Sequence, residues 1–128
     1  MTLELLIENK IRAKIPAKKV IEGWILEVLK DKKIDADVEI GLEIVSNDVI
    51  HKFNKKYRKI DSPTDVLSFP LLDKIPVKSD KMLLLGDIFI CYEILEENAH
   101  NFGVSIENEF KKLIEHGTLH LLGYHHKE

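Results

Sequence analysis

The sequence predicts a mixed α/β protein of the α+β type, in which helices pack over a four-stranded sheet. Apolar residues alternate with polar ones over 38–44, as in a half-buried strand, and recur at helical spacing over 20–29. Two further strand-like segments, 66–69 and 84–90, follow each other with only a loop between them. At least one strand pair is therefore predicted to be antiparallel, which makes the sheet mixed.

Length and composition describe one globular domain covering residues 1–128, with 45% hydrophobic and 32% charged residues. No apolar run could span a membrane and no signal peptide is visible, so we expect a cytoplasmic protein without a membrane partner. The single cysteine, Cys91, suits a reducing compartment. A net charge of −3 excludes a general polyanion binder, so any nucleic-acid contact requires a local basic patch.

The first half of the chain is predicted to alternate strands with helices. Residues 3–7 form a short apolar strand, and Pro16 precedes a helix over 20–29. After the strand at 38–44, Ser46 is placed to cap a second helix. The inward stripe of that helix is predicted to contain Val49, Ile50, Phe53 and Tyr57.

Turn residues and glycine mark the two later strands. Residues 61–64 have turn chemistry and lead into the strand at 66–69. The segment 70–81 contains two prolines and has no period, which predicts a mobile loop. Gly86, inside the fourth strand at 84–90, indicates a bulge or a close backbone approach.

Two helices are predicted to close the chain. The third contains Tyr92, ends at Gly103, and is followed by Ser105, which caps the fourth. The fourth helix carries two histidines, and its predicted inward residues are Ile106, Phe110, Leu113, Ile114 and Gly117.

Three histidines near the end of the chain have the spacing of metal ligands. His116 and His120 are four residues apart, so on a helix they project from one face about 5–6 Å apart at Cβ. Gly123 can end that helix in the left-handed conformation, and the chain can then return His126 toward the other two. His51 and His100 have no partner at such spacing and are expected to be ordinary polar residues.

Three imidazoles predict a hydrolytic metal centre. Neutral imidazoles suit Zn²⁺, and also Ni²⁺, copper or iron. With three protein ligands the fourth tetrahedral position is left for water, as in catalytic zinc sites. Zinc lowers the pKa of such water to about 7, which generates hydroxide at neutral pH.

The spacing also matches the metzincin protease motif, His-Glu-x-x-His-x-x-Gly-x-x-His, with one change. The glutamate that acts as general base in those zincin-type proteases is Gly117 here, and no methionine follows Gly123. Because glycine cannot take a proton, peptide hydrolysis by that mechanism is not expected. The sequence therefore predicts a zincin-like metal helix with a different chemistry.

One face of the second helix is basic. Residues 51–60 contain five Lys or Arg residues and no acidic residue. The face is either an ordinary solvated one or a phosphate-contacting one. The candidate RNA-binding residues are Lys52, Lys55, Lys56, Arg58 and Lys59.

Two segments together resemble one family. The segment 116–126, His-Gly-Thr-Leu-His-Leu-Leu-Gly-Tyr-His-His, resembles the signature of the YbeY endoribonucleases, metal-dependent rRNA maturation factors. Residues 57–70 resemble the second signature of that family, and residues 85–88 a weaker third. In the first signature the aspartate before the third histidine is His125 here, which could compete as a ligand or alter the surroundings of the metal.

The resemblance implies a zinc ion held by His116, His120 and His126, and cleavage of single-stranded RNA. It implies work on the 3′ end of small-subunit rRNA, ribosome quality control, and the small ribosomal subunit as partner. The functional arginine of the family falls on Arg58, so Arg58 and His116 are the predicted catalytic residues. Asp65 and Asp87 are candidate general bases, and a structural role for each is the alternative. A metzincin-like metalloprotease and a non-catalytic ribosome-assembly factor with structural zinc are the alternatives.

Overall fold

The computed structural model describes residues 1–124. Four strands and four helices follow in the predicted order, and none of these helices is long and apolar enough to cross a bilayer. Their bounds are β1 Leu3–Asn9, α1 Lys18–Asp31, β2 Val38–Val45, α2 Asn47–Arg58, β3 Val66–Pro70, β4 Leu83–Cys91, α3 Tyr92–Phe102 and α4 Ile106–Leu121.

The strands form one mixed sheet in the order β1-β2-β4-β3. The pairs β1–β2 and β2–β4 are parallel, whereas β3 and β4 are antiparallel. This confirms both the mixed sheet and the location of its antiparallel pair. Since β3 pairs only with β4, it forms one edge of the sheet.

Helices cover both faces of the sheet. Ile88 and Phe89 are neighbours on β4 and therefore point to opposite faces. A Cβ at Gly117 of α4 would meet the Ile88 side chain, whereas the Phe53 ring of α2 lies 5.0 Å from the Phe89 ring. Thus α4 packs on one face and α2 on the other.

The larger core lies on the α4 side. The alternating residues Val38, Ile40, Leu42 and Ile44 of β2 are fully buried there, with Ile21, Ile25 and Leu29 of α1 and Phe110 and Ile114 of α4. Burying each such side chain contributes roughly 1.5–3 kcal/mol. These core residues agree with the periodicity, whereas Val20, at the start of the pattern in α1, is 40% exposed.

Both predicted serine caps form. Ser46 Oγ accepts a hydrogen bond from the Val49 amide at 3.4 Å, and Ser105 Oγ accepts one from the Asn108 amide at 3.0 Å. Each satisfies an amide that has no partner within the first turn of its helix.

The inward stripe predicted for α2 is only half right. Ile50 is buried and Phe53 is half-buried, but Val49 is 36% and Tyr57 54% exposed. A second core, centred on Val45, Ile50, Leu67, Phe89 and Cys91, is small, so it accommodates only part of the helix. The inward position near the helix end is taken by Asn54, whose Nδ2 donates to the Ser62 carbonyl at 2.8 Å.

Apolar spacing overestimated burial at the start of α4 as well, and the end of α3 before it is also exposed. Phe102 at the end of α3 is 59% exposed, and Ile106 at the start of α4 is 38% exposed. Both residues flank the α3–α4 turn, where the helices diverge from the core. Gly103 ends α3 at φ 67°, as predicted.

Gly86 fulfils both expectations for a glycine in a strand. The β2–β4 register shifts opposite Leu84 and Gly86, which marks a bulge. Gly86 has φ 134°, and a Cβ there would overlap the Phe69 carbonyl oxygen on β3. The bulge therefore lets the edge strand approach closely.

Residues 71–82, which include all but the first residue of the segment predicted as a loop at 70–81, contain no helix or regular strand. Pro70 itself closes β3, and an isolated bridge joins Lys78 to Asp35.

Candidate functional site

The two histidines of α4 face the same way. His116 and His120 are both half-buried on the last two turns of Ile106–Leu121. Gly117 and Thr118, which follow His116, are buried, and Gly117 packs against Ile88 of the sheet. The helix thus holds two imidazoles at the spacing that a shared metal ion needs.

A serine on the edge strand orients one of these imidazoles. Ser68 Oγ of β3 lies 2.8 Å from His120 Nδ1. If Nδ1 carries the proton and donates to the hydroxyl oxygen, Nε2 is unprotonated and can coordinate a metal. Sequence reasoning missed Ser68, although a polar residue between Leu67 and Phe69 in an apolar strand was a signal.

The turn predicted at Gly123 is present. Gly123 has φ 93°, its amide donates to the His120 carbonyl at 3.0 Å, and the Tyr124 amide donates to the Leu119 carbonyl at 3.0 Å. These two bonds form a Schellman motif, which reverses the chain at the end of α4. His125 and His126, the next residues, lie outside the described residues.

The described residues therefore contain only two of the three predicted metal ligands. Within residues 1–124, no three His, Cys, Asp or Glu side chains are grouped to hold a metal ion. His116 and His120 supply neutral nitrogen donors, which fit zinc, and the predicted third donor is His126. The zinc assignment stays a prediction.

Gly117, at the position of the protease glutamate, is required by packing. A Cβ there would lie 2.9 Å from Ile88 Cγ2 and 3.0 Å from Ile88 Cδ1. The residue points at the sheet, so a glutamate at this position would be directed into the core. The missing base of the protease pattern thus has a structural cause.

The two candidate carboxylates have other surroundings. Asp87 points to the sheet face opposite α4, because its neighbour Ile88 packs against Gly117. Burial raises the pKa of the Asp87 carboxyl, and the charges of Glu43 and Glu8 raise it further. This face is remote from the helix that carries His116, so a role for Asp87 as general base there is not supported.

Asp65, immediately before β3, joins the edge strand to α3. Its Oδ2 accepts a hydrogen bond from Asn98 Nδ2 at 3.3 Å, and its Oδ1 accepts one from Thr64 Oγ1 at 3.3 Å. These contacts indicate a structural function.

All five predicted RNA-binding residues on or next to α2 are exposed. Lys55 Nζ lies 4.0 Å from Asp61 Oδ1, and the Asp61 pKa is lowered by its hydrogen bond with His51 and by the Lys55 charge. Among the described residues, no carboxylate lies within ion-pair distance of Lys52, Lys56 or Arg58. Their charges are therefore available to an anion.

The edge strand lies between the basic helix and the histidine helix. On one face Ser68 contacts His120, and on the other the Phe69 ring lies 5.3 Å from the Tyr57 ring of α2. Arg58 follows Tyr57 directly and ends α2. The two helices that carry the basic face and the histidine pair thus contact β3 from opposite faces of the sheet.

A cavity of ≈ 860 Å³ lies between the end of α1 and α4. It is lined by Glu27, Asp31 and Glu115, and by Lys30, Lys32 and Lys33. Because these charges balance, the cavity has less attraction for a polyanion than the α2 face.

The comparisons with known proteins agree with the family suggested by the motifs at 57–70 and 116–126. The family model described as "Endoribonuclease YbeY" matches residues 6–128. The chain belongs to the YbeY endoribonuclease family. The resemblance inferred from the two motifs is thereby confirmed.

Relatives in this family match over nearly the whole chain. The "Endoribonuclease YbeY" of Thermoanaerobacter sp. (strain X514) is 37% identical over 137 residues, covering 98% of this chain and 86% of that protein. The "Endoribonuclease YbeY" of Aquifex aeolicus (strain VF5) is 38% identical over 125 residues, covering 94% of this chain and 80% of that protein.

A solved structure has the same fold. The solution structure of TM1509 from Thermotoga maritima superposes with a TM-score of 0.58 at 34% identity, covering 98% of this chain and 75% of that one. The predicted α+β fold class is therefore confirmed both by the architecture and by this likeness.

Ser68 provides a test of the histidine pair in this YbeY family member. Replacing Ser68 by alanine removes the partner of His120 Nδ1, and loss of such an orienting bond typically lowers metal affinity by about 10- to 100-fold. We expect this loss in zinc titrations with a competing chelator. Ser79→Ala, which removes a hydroxyl bonded to the Lys81 carbonyl in the 71–82 segment, is the control. Equal zinc affinity in both variants would contradict the orienting role.

Proposed function

We propose that this chain is a zinc-dependent endoribonuclease that cleaves single-stranded RNA. The observation that carries the proposal is the family match over residues 6–128, which includes both the histidine helix and the basic helix. The substrate class is single-stranded rRNA in the cytoplasm, at the 3′ end of the small-subunit rRNA. Ribosome quality control and contact with the small ribosomal subunit belong to the same proposal.

Three histidines would hold the metal. His116 and His120 lie on one face of α4, and the Schellman turn at Gly123 supports the return of His126 toward them. Zinc, or Ni²⁺ or another divalent ion, would when bound provide Lewis-acid chemistry, with polarisation of a phosphate oxygen or a supply of hydroxide. Ser68 holds the His120 ring through Nδ1, so that Nε2 is presented as a donor.

Arg58 would stabilise the charge that builds on the phosphorane. Guanidinium groups bind phosphate oxygens in a bidentate manner, and such stabilisation acts mainly in the transition state. The RNA backbone on either side of the phosphate bound by Arg58 would be contacted by four lysines, Lys52, Lys55, Lys56 and Lys59. Their attraction is independent of sequence, so single-strandedness and shape determine which RNA is cut.

The RNA would cross the edge strand. Since the basic helix and the histidine helix lie on opposite faces, a strand that touches both must pass over β3. Ser68 and Phe69 are adjacent on this strand. Ser68 contacts His120 of α4, and Phe69 contacts Phe53 of α2. A duplex is wider and stiffer than a single strand, and this route therefore favours single-stranded substrates.

Replacing Arg58 by alanine is expected to lower kcat for RNA cleavage by about 10²–10³-fold, which is typical for the loss of one donor to a developing negative charge. Arg58 is exposed, so the fold should not change. Cleavage of a labelled single-stranded RNA by zinc-loaded protein provides the measurement. Arg12→Ala, at the other arginine of the chain, is the matched control.

The experiment also separates the remaining functional classes. Equal cleavage by wild type, Arg58→Ala and a histidine variant would refute the nuclease proposal. RNA binding without cleavage, at full zinc occupancy, would favour an assembly factor.

A further inference from the structure

Tyr57 is a large aromatic residue held at the surface. Its spacing predicts an inward position, yet it is 54% exposed, one residue before the end of α2. A tyrosine buries considerable apolar area when it is packed, so an exposed face at this position leaves part of that stabilisation unused.

Two rings support Tyr57 from below. The Phe53 ring is stacked with it at 5.8 Å between centroids and 24° between planes, and Phe69 meets it edge-on at 5.3 Å and 69°. Phe53 and Phe69 in turn pack edge-on against Phe89 at 5.0 Å and 5.4 Å. The Tyr57 ring is therefore fixed by a chain of aromatic contacts that reaches the sheet. A ring fixed in this way loses little conformational entropy when a ligand covers it.

Basic residues stand on both sides of Tyr57 in the sequence. Lys56 Nζ lies 5.2 Å from the Tyr57 centroid, and Arg58 follows the ring directly. The long lysine side chain can leave the ring for a phosphate when a planar group arrives. Proteins that bind single-stranded nucleic acid combine basic residues with aromatic rings on which bases stack, because every base has a π-face, and the surface around Tyr57 offers both.

We propose that Tyr57 is a base-stacking platform for single-stranded RNA. This inference rests on the proposed function and specifies how the substrate is held. A base stacked on Tyr57 places its own phosphates beside Arg58, at the side of β3 where the strand must cross to reach His120. Stacking does not depend on base identity, so it positions the substrate without selecting a sequence. Tyr57 is a positioning residue.

The test uses two ring variants and two oligonucleotides. Tyr57→Phe keeps the ring, whereas Tyr57→Leu keeps only the apolar cover over Phe53 and Phe69. Zinc-loaded proteins are titrated against a labelled single-stranded adenosine oligonucleotide and against an abasic ribose-phosphate chain of equal length. Fluorescence anisotropy gives the affinity, a gel of the same samples checks that the oligonucleotide is intact, and circular dichroism compares the folds.

Phe102→Leu is the matched control. Phe102 is 59% exposed and carries Lys112 Nζ at 4.8 Å from its centroid, so it is also an exposed ring beside a lysine. It lies at the end of α3, away from the basic face, and its replacement should leave RNA affinity unchanged.

Tyr57→Leu is expected to bind the adenosine oligonucleotide about tenfold more weakly than wild type, within the range found for the loss of one base–aromatic stack. Tyr57→Phe should bind within about twofold of wild type. On the abasic chain, wild type and Tyr57→Leu should have equal affinity, because no base is present to stack. A 2-aminopurine in the oligonucleotide should be quenched by wild type and by Tyr57→Phe, but less by Tyr57→Leu.

Two outcomes overturn the inference alone while RNA cleavage by wild type persists. An equal loss on both oligonucleotides would mean that Tyr57 acts through the fold or the backbone contacts. No loss on either would leave the exposed ring as a contact for a protein partner. Failure of wild type to bind or cut any single-stranded RNA would overturn the proposed function, and the platform with it.

Discussion

Replacing His116 by alanine is expected to abolish both zinc binding and RNA cleavage, with little change in the stability of the fold. Residues that hydrogen-bond to a metal ligand without binding the metal contribute about 10- to 100-fold in metal affinity. The affinity lost with a ligand itself should be larger. His116 is half-buried and is not part of either hydrophobic core cluster, whereas the next two residues, Gly117 and Thr118, are buried. Truncating it therefore removes a donor without opening a cavity.

The measurement combines zinc stoichiometry with RNA cleavage on the same samples. Elemental analysis of dialysed protein should give one zinc per chain for wild type and close to none for His116→Ala. Cleavage of labelled single-stranded RNA should fall in parallel.

The control is His100→Ala. His100 is an exposed histidine of α3 beside Glu93, Glu96 and Glu97, so it tests whether any surface imidazole contributes to zinc retention. Full zinc occupancy in His116→Ala would contradict the assignment of the metal centre. Full occupancy together with lost cleavage would instead place His116 in the chemistry rather than in metal binding.

The sequence was sufficient for features determined by local rules. The period-2 pattern of β2, the serine caps at Ser46 and Ser105, and the left-handed Gly123 each depend on a few neighbouring residues. The two histidines four residues apart belong to the same class, because a helix fixes their common face.

Features determined by packing between distant segments were not predictable in the same way. Tyr57 has the spacing of an inward residue, but its burial depends on how far the small core under α2 extends. Ser68 gains its significance only because β3 is brought beside His120, 52 residues later in the chain. Periodicity indicates that a side chain can be covered and does not indicate what covers it.

The arrangement of α2 and α4 around β3 also depends on packing between distant segments and was not predictable from local rules. Resemblance to the family placed Arg58 and His116 in one site, while the packing of α2 and α4 on opposite faces of the sheet is a property of the fold. An edge strand has only one neighbour to pair with, so its outer edge is open to a ligand while its two faces contact α4 and α2. In the proposed function, this arrangement lets residues on α2 and α4 contact one RNA strand.

Replacing Gly117 by glutamate should be the most destabilising of these substitutions, although it restores the metzincin protease pattern. A Cβ at this position lies 2.9 Å from Ile88 Cγ2, and the carboxylate would be directed into the core. Overpacking costs about 1–3 kcal/mol, and an unpaired buried polar group adds a similar amount or more. We expect the free energy of unfolding to fall by about 4 kcal/mol or more, with no gain of peptide hydrolysis.

Alanine variants separate the packing contribution from the charge. A Cβ at Gly23, inside α1, would have no neighbouring atom within 4 Å, so Gly23→Ala should stabilise the helix by about 1 kcal/mol. Gly117→Ala gains the same helix propensity but must displace Ile88, so urea unfolding should show a net loss for it. Ile88→Ala removes the clashing atoms. The loss of unfolding free energy in the double variant Gly117→Ala with Ile88→Ala should therefore be smaller than the sum of the losses in the two single variants. Additive effects, or peptide turnover by Gly117→Glu, would mean that Gly117 is present for a reason other than the contact between α4 and β4.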